Sequence, residues 1–568
     1  MRIPGRAALL VTAGFLAATM LYVAPIAPRA ARDVPQWLEG AFDAPTQAFL
    51  LGWGWEVLRR HPGDAFDAPI FHPERRTLAY MDSMLGEAAA ASPVLAATGS
   101  VAAGYNFLVA ISVFLSAWFT YRLARRLGAE RPGAFLAGLL FAFSTYRLTN
   151  SDFLNQLQTQ FLPLGIDFGI RFHQRGRWRH AAGLGATLAT QAYFGWYYAC
   201  ILVVALLLLA MHAAFRRVAI VPRGGWVKLA ILAPALAILT APIVIPVLEQ
   251  RAAMPTFRRT LGQTALYSAD LLDYVRASER GLDAARLGLP AGPNALFPGV
   301  VLIGLAALGA RAARKATAGV LGYLPLLALG AFVLSLGPVL HVAGVRYWVP
   351  LPYIAAYYAV PGLWGLRAPF RFAVLVFLAA ALLAAIGYRA LDRHVASRGP
   401  RWRGPLFALA VVASLASAWP ATYRFVRLPT AETIEPAYRW LAANDPGAPL
   451  LEWPNPATDS DETATHALRQ YRVLLHGHPR LDGCSGFVSP LYKSFRPRIQ
   501  SFPDAAALAL ADSLGARLVL VHYGDLPADE ATLLRARVAA APALAEAAAF
   551  GSDVVYRLEG GAPPPGTP

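Results

Sequence analysis

Residues 29–87 read RAARDVPQWLEGAFDAPTQAFLLGWGWEVLRRHPGDAFDAPIFHPERRTLAYMDSMLGE, and the runs on either side of them settle the class of fold. Apolar stretches at about 7–27 and 100–121 flank it, each long enough to cross a hydrocarbon core of roughly 30 Å. A tether between two such spans needs only a few polar residues, whereas this loop has about sixty. Asp33, Glu39, Asp43, Glu56, Asp64, Asp67, Glu74, Asp82 and Glu87 face six arginines, although the whole chain has a formal net charge of +17. Trp37, Trp53, Trp55, Phe49, Phe66, Phe71 and Tyr80 are interleaved among them. The loop therefore reads as a built site between two membrane helices.

Outward from the loop, the chain of 568 residues is 56% hydrophobic and 15% charged, the balance of a polytopic membrane protein. Further apolar runs lie at about 133–147, 157–172, 181–196, 197–215, 227–248, 295–310, 317–337, 371–388 and 404–419. With eleven crossings and Arg2 and Arg6 inside, every basic inter-span loop falls on the cytoplasmic side. The positive charge is thus a topology signal, and a nucleic-acid partner is excluded. The expectation is a multi-pass protein of a bacterial plasma membrane, its first span an uncleaved anchor and its N-terminus cytoplasmic. Cys200 and Cys484 fall in a span and in the tail, too far apart in character for a disulfide or a zinc site.

The mixed charge of 249–293 suggests a helix lying along the membrane surface. Residues 338–369, broken by Pro350, Pro352 and Pro361, read as an external or re-entrant segment. From Pro420 onward helix and strand patterns alternate: EPAYRWLAAN as helix, PLLEWP as strand, DAAALALADSLGARLVLVHYGD as helix, turn and strand. The expected division is a membrane domain over 1–419 with its first external loop at 28–90. A small extracytoplasmic α/β domain follows over 420–558, then a disordered tail over 559–568.

Asp43 stands at the start of the aromatic helix FDAPTQAFLLGW, where aspartate is a preferred cap worth about 1 kcal/mol. It equally suits a general base at the membrane surface, taking a proton from an acceptor hydroxyl. Asp82 is a carboxylate at the mouth of the bundle. His72 is a turn residue before Pro73, or a ligand with Asp43 and Asp82 for a divalent cation, Mg or Mn, the one candidate cofactor. Gln47, His72, Arg147, Arg367 and Arg371 are the candidate substrate- or phosphate-binding residues. The arginines lie at external span ends, where they either snorkel or clamp a lipid-linked phosphate. Asn150, Asn155, Gln158 and Gln160 form a polar patch that suits interhelical hydrogen bonding as well as sugar binding. His466, His476 and His478 lack a ligand pattern. Trp453, Tyr471 and Tyr492 suit either a sugar or the small domain's core.

FDAPTQAFLLGWGWEVL (42–58), FDAPIFHPERRTLAYMDSMLGEA (66–88) and STYRL (144–148) resemble the C-type glycosyltransferase (GT-C) superfamily. LSLGPVL (334–340), LPYIAAYYAVPGLWGLRAPFRF (351–372) and LHGHPRLDGCSGFVSPLYKSF (475–495) resemble its YfhO-like relatives. The resemblance implies a helical membrane enzyme that takes sugar from a polyprenyl-phosphate carrier outside the membrane. The acceptor would be a lipid-linked glycan, envelope polymer or protein. It implies Asp43 as base, Asp82 as second acid, and Arg367 and Arg371 at the carrier phosphate. Phe42 stands where such relatives have Gly, and Asn150 and Phe153 where they often have His. The alternatives are a transporter or flippase of lipid-linked intermediates, whose expected marks are repeats and midplane ionisable groups, and a non-catalytic assembly protein.

Overall fold

The computed structural model describes residues 5–36, 42–254, 256–278, 288, 290, 295–315, 320–417, 419–420, 423–458 and 463–559. Readings placed on Trp37, Glu39, the distal part of 249–293 and the C-terminal tail fall outside these residues. The chain divides into two compact units. One comprises Met1–Pro28, Asn106–Ile245 and Arg251–Arg424; the other comprises Arg29–Tyr105, Pro246–Gln250 and Phe425–Pro568.

The first unit is helical. Helices lie at the expected apolar runs, at Arg6–Val23, Val101–Arg126, Arg131–Ala142, Phe161–Arg175, Trp178–Phe194, Trp196–Phe215, Gly225–Ala253, Val300–Lys315, Tyr323–Ser335, Ala373–Arg398 and Arg403–Ser417. Among the described residues five are long and apolar enough to cross a bilayer by themselves: Arg6–Val23, Val101–Arg126, Trp196–Phe215, Gly225–Ala253 and Pro369–Arg398. Others are short; Arg131–Ala142 has 12 residues, about 18 Å of helix. Burial separates the long helices by role. In Pro369–Arg398, 78% of the most apolar window is buried inside the chain, against 6% in Gly225–Ala253. The former is the hub of the unit and the latter exposes apolar surface suited to lipid.

The hub packs through small residues, as membrane helices do when backbones approach closely. A Cβ on Gly309 would collide with the Leu383 carbonyl, and one on Gly387 with the Leu305 carbonyl. The helices Val300–Lys315 and Ala373–Arg398 therefore touch backbone to backbone.

The surface helix expected over 249–293 is broken in the described residues. The preceding helix runs on to Ala253, and then come Leu261–Leu266 and a turn at Leu271–Tyr274. Each of these pieces starts at a capping box, Thr260 with Gln263 and Asp270 with Asp273, which satisfies orphan amides and restarts the chain. In 338–369 the structure has a hairpin of Val339–Val342 with Val345–Pro350, followed by the helix Tyr353–Ala359.

The second unit joins the first loop to the C-terminal segment. Asp33–Pro35 pairs antiparallel with Phe425–Arg427, and Asp33 Oδ1 meets Arg427 Nε at 3.0 Å. A four-stranded sheet has the order Leu450–Trp453, Leu518–His522, Asp553–Leu558, Leu544–Phe550. The first two strands are parallel and the rest antiparallel. The loop extends this sheet. The Leu450 amide donates to Pro479 O (2.8 Å), Arg480 N to Pro69 O (3.1 Å), and His72 N to Arg480 O (2.8 Å). The alanine-rich LAEAAAF (544–550) has helical propensity, yet it is a strand because pairing with Asp553–Leu558 satisfies its backbone.

A buried ionic network lies under the end of the strand Leu450–Trp453. Glu452 accepts from Tyr438 Oη (3.0 Å) and lies 3.7 Å from Arg480 Nε and 3.6 Å from Arg469 Nε. Arg480 forks onto Asp482 at 2.8 and 2.7 Å, and Arg469 Nη2 reaches Asp525 at 2.7 Å. Trp453, Tyr471 and Tyr492 are core residues here. Burial opposes the Glu452 carboxylate, but the Arg480 charge, the His522 bond and the Arg469 charge overcome it and hold its pKa well below the usual range. Burial pushes His476 down to about 3 and His466 to about 4, from an ordinary 6.5.

Between those values and pH 6.5 the unfolded chain protonates both imidazoles and the folded chain does not. Stability therefore rises with pH across that window. His522 has a raised pKa, because its bonds to Asp553 and Glu452 outweigh burial. It opposes the trend only above pH 6.5, where its stabilisation fades. Glu87 and Glu74, whose pKa values burial raises, oppose the histidines above about pH 4.5, so the melting temperature of the full chain in micelles should rise less, or fall more, between pH 4.5 and 6.5 in His476→Phe than in the wild type. Equal slopes in the two proteins would sink this account.

Candidate active site

In the second unit Phe42 occupies the cap position of the helix Asp43–Arg60, and Asp43 is its first helical residue. The cap assignment for Asp43 is thereby corrected. The half-buried carboxylate sits in the first turn, where the helix dipole favours negative charge. Gln47 follows one turn later on the same face and is buried.

His72 is held elsewhere. Its amide is bound to the Arg480 carbonyl, and its Nε2 would lie 3.2 Å from a Cβ on Gly515, so the ring packs against the α/β segment. Burial lowers its pKa. Among the described residues no three His, Cys, Asp or Glu side chains gather as metal ligands. The cation site read from Asp43, His72 and Asp82 together is therefore corrected, because sheet pairing takes His72 away.

Asp82 has a partner that the sequence reading overlooked. Glu87, in the first turn of Leu85–Thr98, is completely buried, and neither carboxyl oxygen has a hydrogen-bond partner. Burial pushes its pKa well above the usual range, and the Asp82 charge adds to the effect. A carboxylate in an otherwise apolar turn, LGEAAAA, was the available signal.

In the first unit Arg147 is buried. It donates to Leu157 O (2.7 Å), Thr159 Oγ1 (3.1 Å) and Ser112 Oγ (2.7 Å). Its guanidinium pins the polar turn 150–160, of which Asn150, Asp152, Asn155, Gln156, Gln158 and Gln160 are all buried. Tyr198 Oη donates to Gln156 O at 2.7 Å, and Tyr146 Oη lies 3.1 Å from Tyr198 Oη and 3.3 Å from Arg371 O. The turn and the Arg371 backbone thus share one network.

Arg367 and Arg371 form no ion pair among the described residues. The Arg371 guanidinium lies over the rings of Tyr197 (4.4 Å) and Phe153 (5.2 Å), and its buried Nε has no hydrogen-bond partner. Arg367 lies over Tyr267 at 4.1 Å, and its amide donates to Tyr197 Oη at 2.6 Å. Arg259, which the sequence reading passed over, has its backbone fixed nearby, its amide donating to Trp364 O (3.0 Å) and its carbonyl accepting from Tyr357 Oη (2.6 Å), and the Arg367 charge acts on it. Aromatic faces hold the Arg367 and Arg371 guanidinium groups without neutralising them. Such a cluster is ready for an anion. Phe153 follows the buried Asp152, a second acid that the sequence reading did not single out.

No family model and no curated protein matches the sequence. Solved structures do. The mycobacterial arabinofuranosyltransferase AftD is similar at 15% identity and TM-score 0.62, over 99% of this chain but 40% of that one. The chain thus spans well under half of that relative. The oligosaccharyltransferase AglB from Archaeoglobus fulgidus, solved with an inhibitory peptide and a dolichol-phosphate, is 14% identical with a TM-score of 0.50, over 91% and 69% of the two chains. ArnT from Cupriavidus metallidurans, bound to undecaprenyl phosphate, is 13% identical with a TM-score of 0.50 and 97% coverage of both. The chain has the GT-C fold.

Proposed function

We propose that this GT-C-fold chain is a membrane glycosyltransferase that moves a sugar from a polyprenyl-phosphate carrier to a lipid-linked glycan, envelope polymer or protein acceptor on the outer face of the membrane. The observation that carries the reading is the arginine group at Tyr197 and Tyr267, with Arg371 Nε buried and unpartnered. The carrier phosphates named for AglB and ArnT support the same chemistry.

In this reading the acceptor hydroxyl oxygen attacks the anomeric carbon while the bond from that carbon to the phosphate oxygen breaks. Asp43 receives the hydroxyl proton. The polyprenyl phosphate leaves with the bonding electrons, and Arg259, Arg367 and Arg371 stabilise its charge. Arg147 is a positioning residue for the turn 150–160. Asp82 and Glu87 are the carboxylates that would hold a divalent cation, since Glu87 has two orphaned oxygens beside another acid. Eleven crossings, a cytoplasmic N-terminus and an extracytoplasmic 420–558 domain complete the proposal.

The test is radiolabelled sugar transfer from polyprenyl-phosphate donors in proteoliposomes. Arg371→Met should raise the donor KM by about 10- to 100-fold, the worth of a charge-assisted hydrogen bond, with a smaller change in kcat. Wild-type protein that transfers no sugar from any donor would overturn the enzyme reading. An unchanged KM in a folded variant would remove Arg371 from the phosphate site.

A further inference from the structure

Away from the arginine group above, the first unit has a second basic concavity. A cavity of ≈ 250 Å³ is lined by Arg126, Phe168, Arg171, Arg175, Arg179 and His180. Three helix ends build it: the C-termini of Val101–Arg126 and Phe161–Arg175 and the N-terminus of Trp178–Phe194. Arg171 and Arg175 share a face at i, i+4. Gly176, with φ +58°, reverses the chain so that Arg179 and His180 return to the same space.

Four guanidinium groups meet one carboxylate here. Asp167, buried, takes Arg126 and forks with Arg171, whose Nε lies 3.0 Å from Oδ1. The Arg175 and Arg179 side chains make no hydrogen bond or ion pair among the described residues. His180 is 3% exposed, and its Nδ1 has no partner. Positive charge at two helix C-termini is expected. Arg175 and Arg179 are exposed at the rim, and with the partly buried Arg126 and Arg171 they concentrate positive potential in one concavity. A helix N-terminus opening on the same space adds backbone donors.

We propose that this cavity is a binding site for a phosphate-bearing anion, independent of the proposed transfer site. Converging guanidinium forks suit a group that presents several oxygens, and the unpartnered His180 nitrogen suits a further oxygen or its proton. The phosphate is supplied either by the headgroup of an anionic phospholipid or by a soluble phosphate. Basic pockets between membrane helices bind such headgroups.

The experiment uses the purified full chain. Native mass spectrometry measures retention of phosphatidylglycerol against phosphatidylcholine, and 31P line broadening measures inorganic phosphate binding. Both are repeated on Arg175→Glu/Arg179→Glu, on the milder Arg175→Gln/Arg179→Gln, and on Arg177→Glu, an exposed residue outside the lining. Preferential phosphatidylglycerol retention, lowered at least about tenfold in the double variants and kept by Arg177→Glu, supports the site with a lipid source. The same pattern with inorganic phosphate alone supports it with a soluble source. Equal binding by wild type and the folded double variants in both arms overturns it. Sugar transfer is not the readout, so the outcome does not depend on the proposed enzyme activity.

Discussion

Asp43→Asn is expected to lower kcat for sugar transfer by roughly 10²- to 10⁴-fold, the range that a positioned general base contributes. The substitution keeps side-chain size and the capacity to accept hydrogen bonds at the start of the helix Asp43–Arg60, but it cannot take a proton. The stability change should be small, because the negative charge in the first turn is worth about 0.3–1 kcal/mol. Melting temperature and expression therefore separate the catalytic from the structural role. Full activity in a stably folded Asp43→Asn protein would move the base elsewhere, with Asp82 the next residue to change. A loss of activity shared in proportion with folded protein would make Asp43 structural.

The largest stability effect is expected at Arg480. Its side chain is 1% exposed and holds Asp482 by two hydrogen bonds at 2.8 and 2.7 Å, with Glu452 3.7 Å away. Arg480→Met leaves two buried carboxylates short of a countercharge, a loss of about 3–5 kcal/mol when one partner of a buried pair is removed. Adding Asp482→Leu should recover part of that loss, because an apolar pair leaves one fewer buried charge uncompensated. Denaturant unfolding of the full chain measures both. The backbone of Arg480 binds Pro69 and His72, so proteolysis should also reach the first loop sooner in the single variant. A loss under about 1 kcal/mol would mean that water enters the network and screens it.

Much of the candidate chemistry was visible in local pattern. Arg367 and Arg371 stood out because arginines at a Pro-broken junction are unusual, and Asp43 because it opens an aromatic helix. Arg259 did not stand out. In FRRTLGQ it looks like one of two basic residues on a surface segment, and its relation to Arg367 arises from residues about a hundred positions apart. Glu87 reads as one more acid in an acidic loop; the apolar turn LGEAAAA around it was the local sign of a burial that only the folded chain makes complete. Arg147 misled in the other direction. Its position at a helix end resembles that of Arg371, yet its donors are engaged by Leu157, Thr159 and Ser112.

Apolar length, a local property of the chain, was enough to anticipate a largely helical fold with helices of membrane-spanning length, and composition was enough to single out the acidic first loop. Hydrophobic transfer acts residue by residue, so composition records it. The pairing of the first loop with the C-terminal sheet, the strand made of alanines at 544–550, the tie between His72 and Arg480 and the complete burial of Glu87 came from folding. Each depends on a hydrogen bond, a burial or a charge contact supplied by another part of the molecule. A backbone donor carries no mark of which distant carbonyl it will meet, and a carboxylate acquires its pKa from surroundings that exist only once the chain has closed around it.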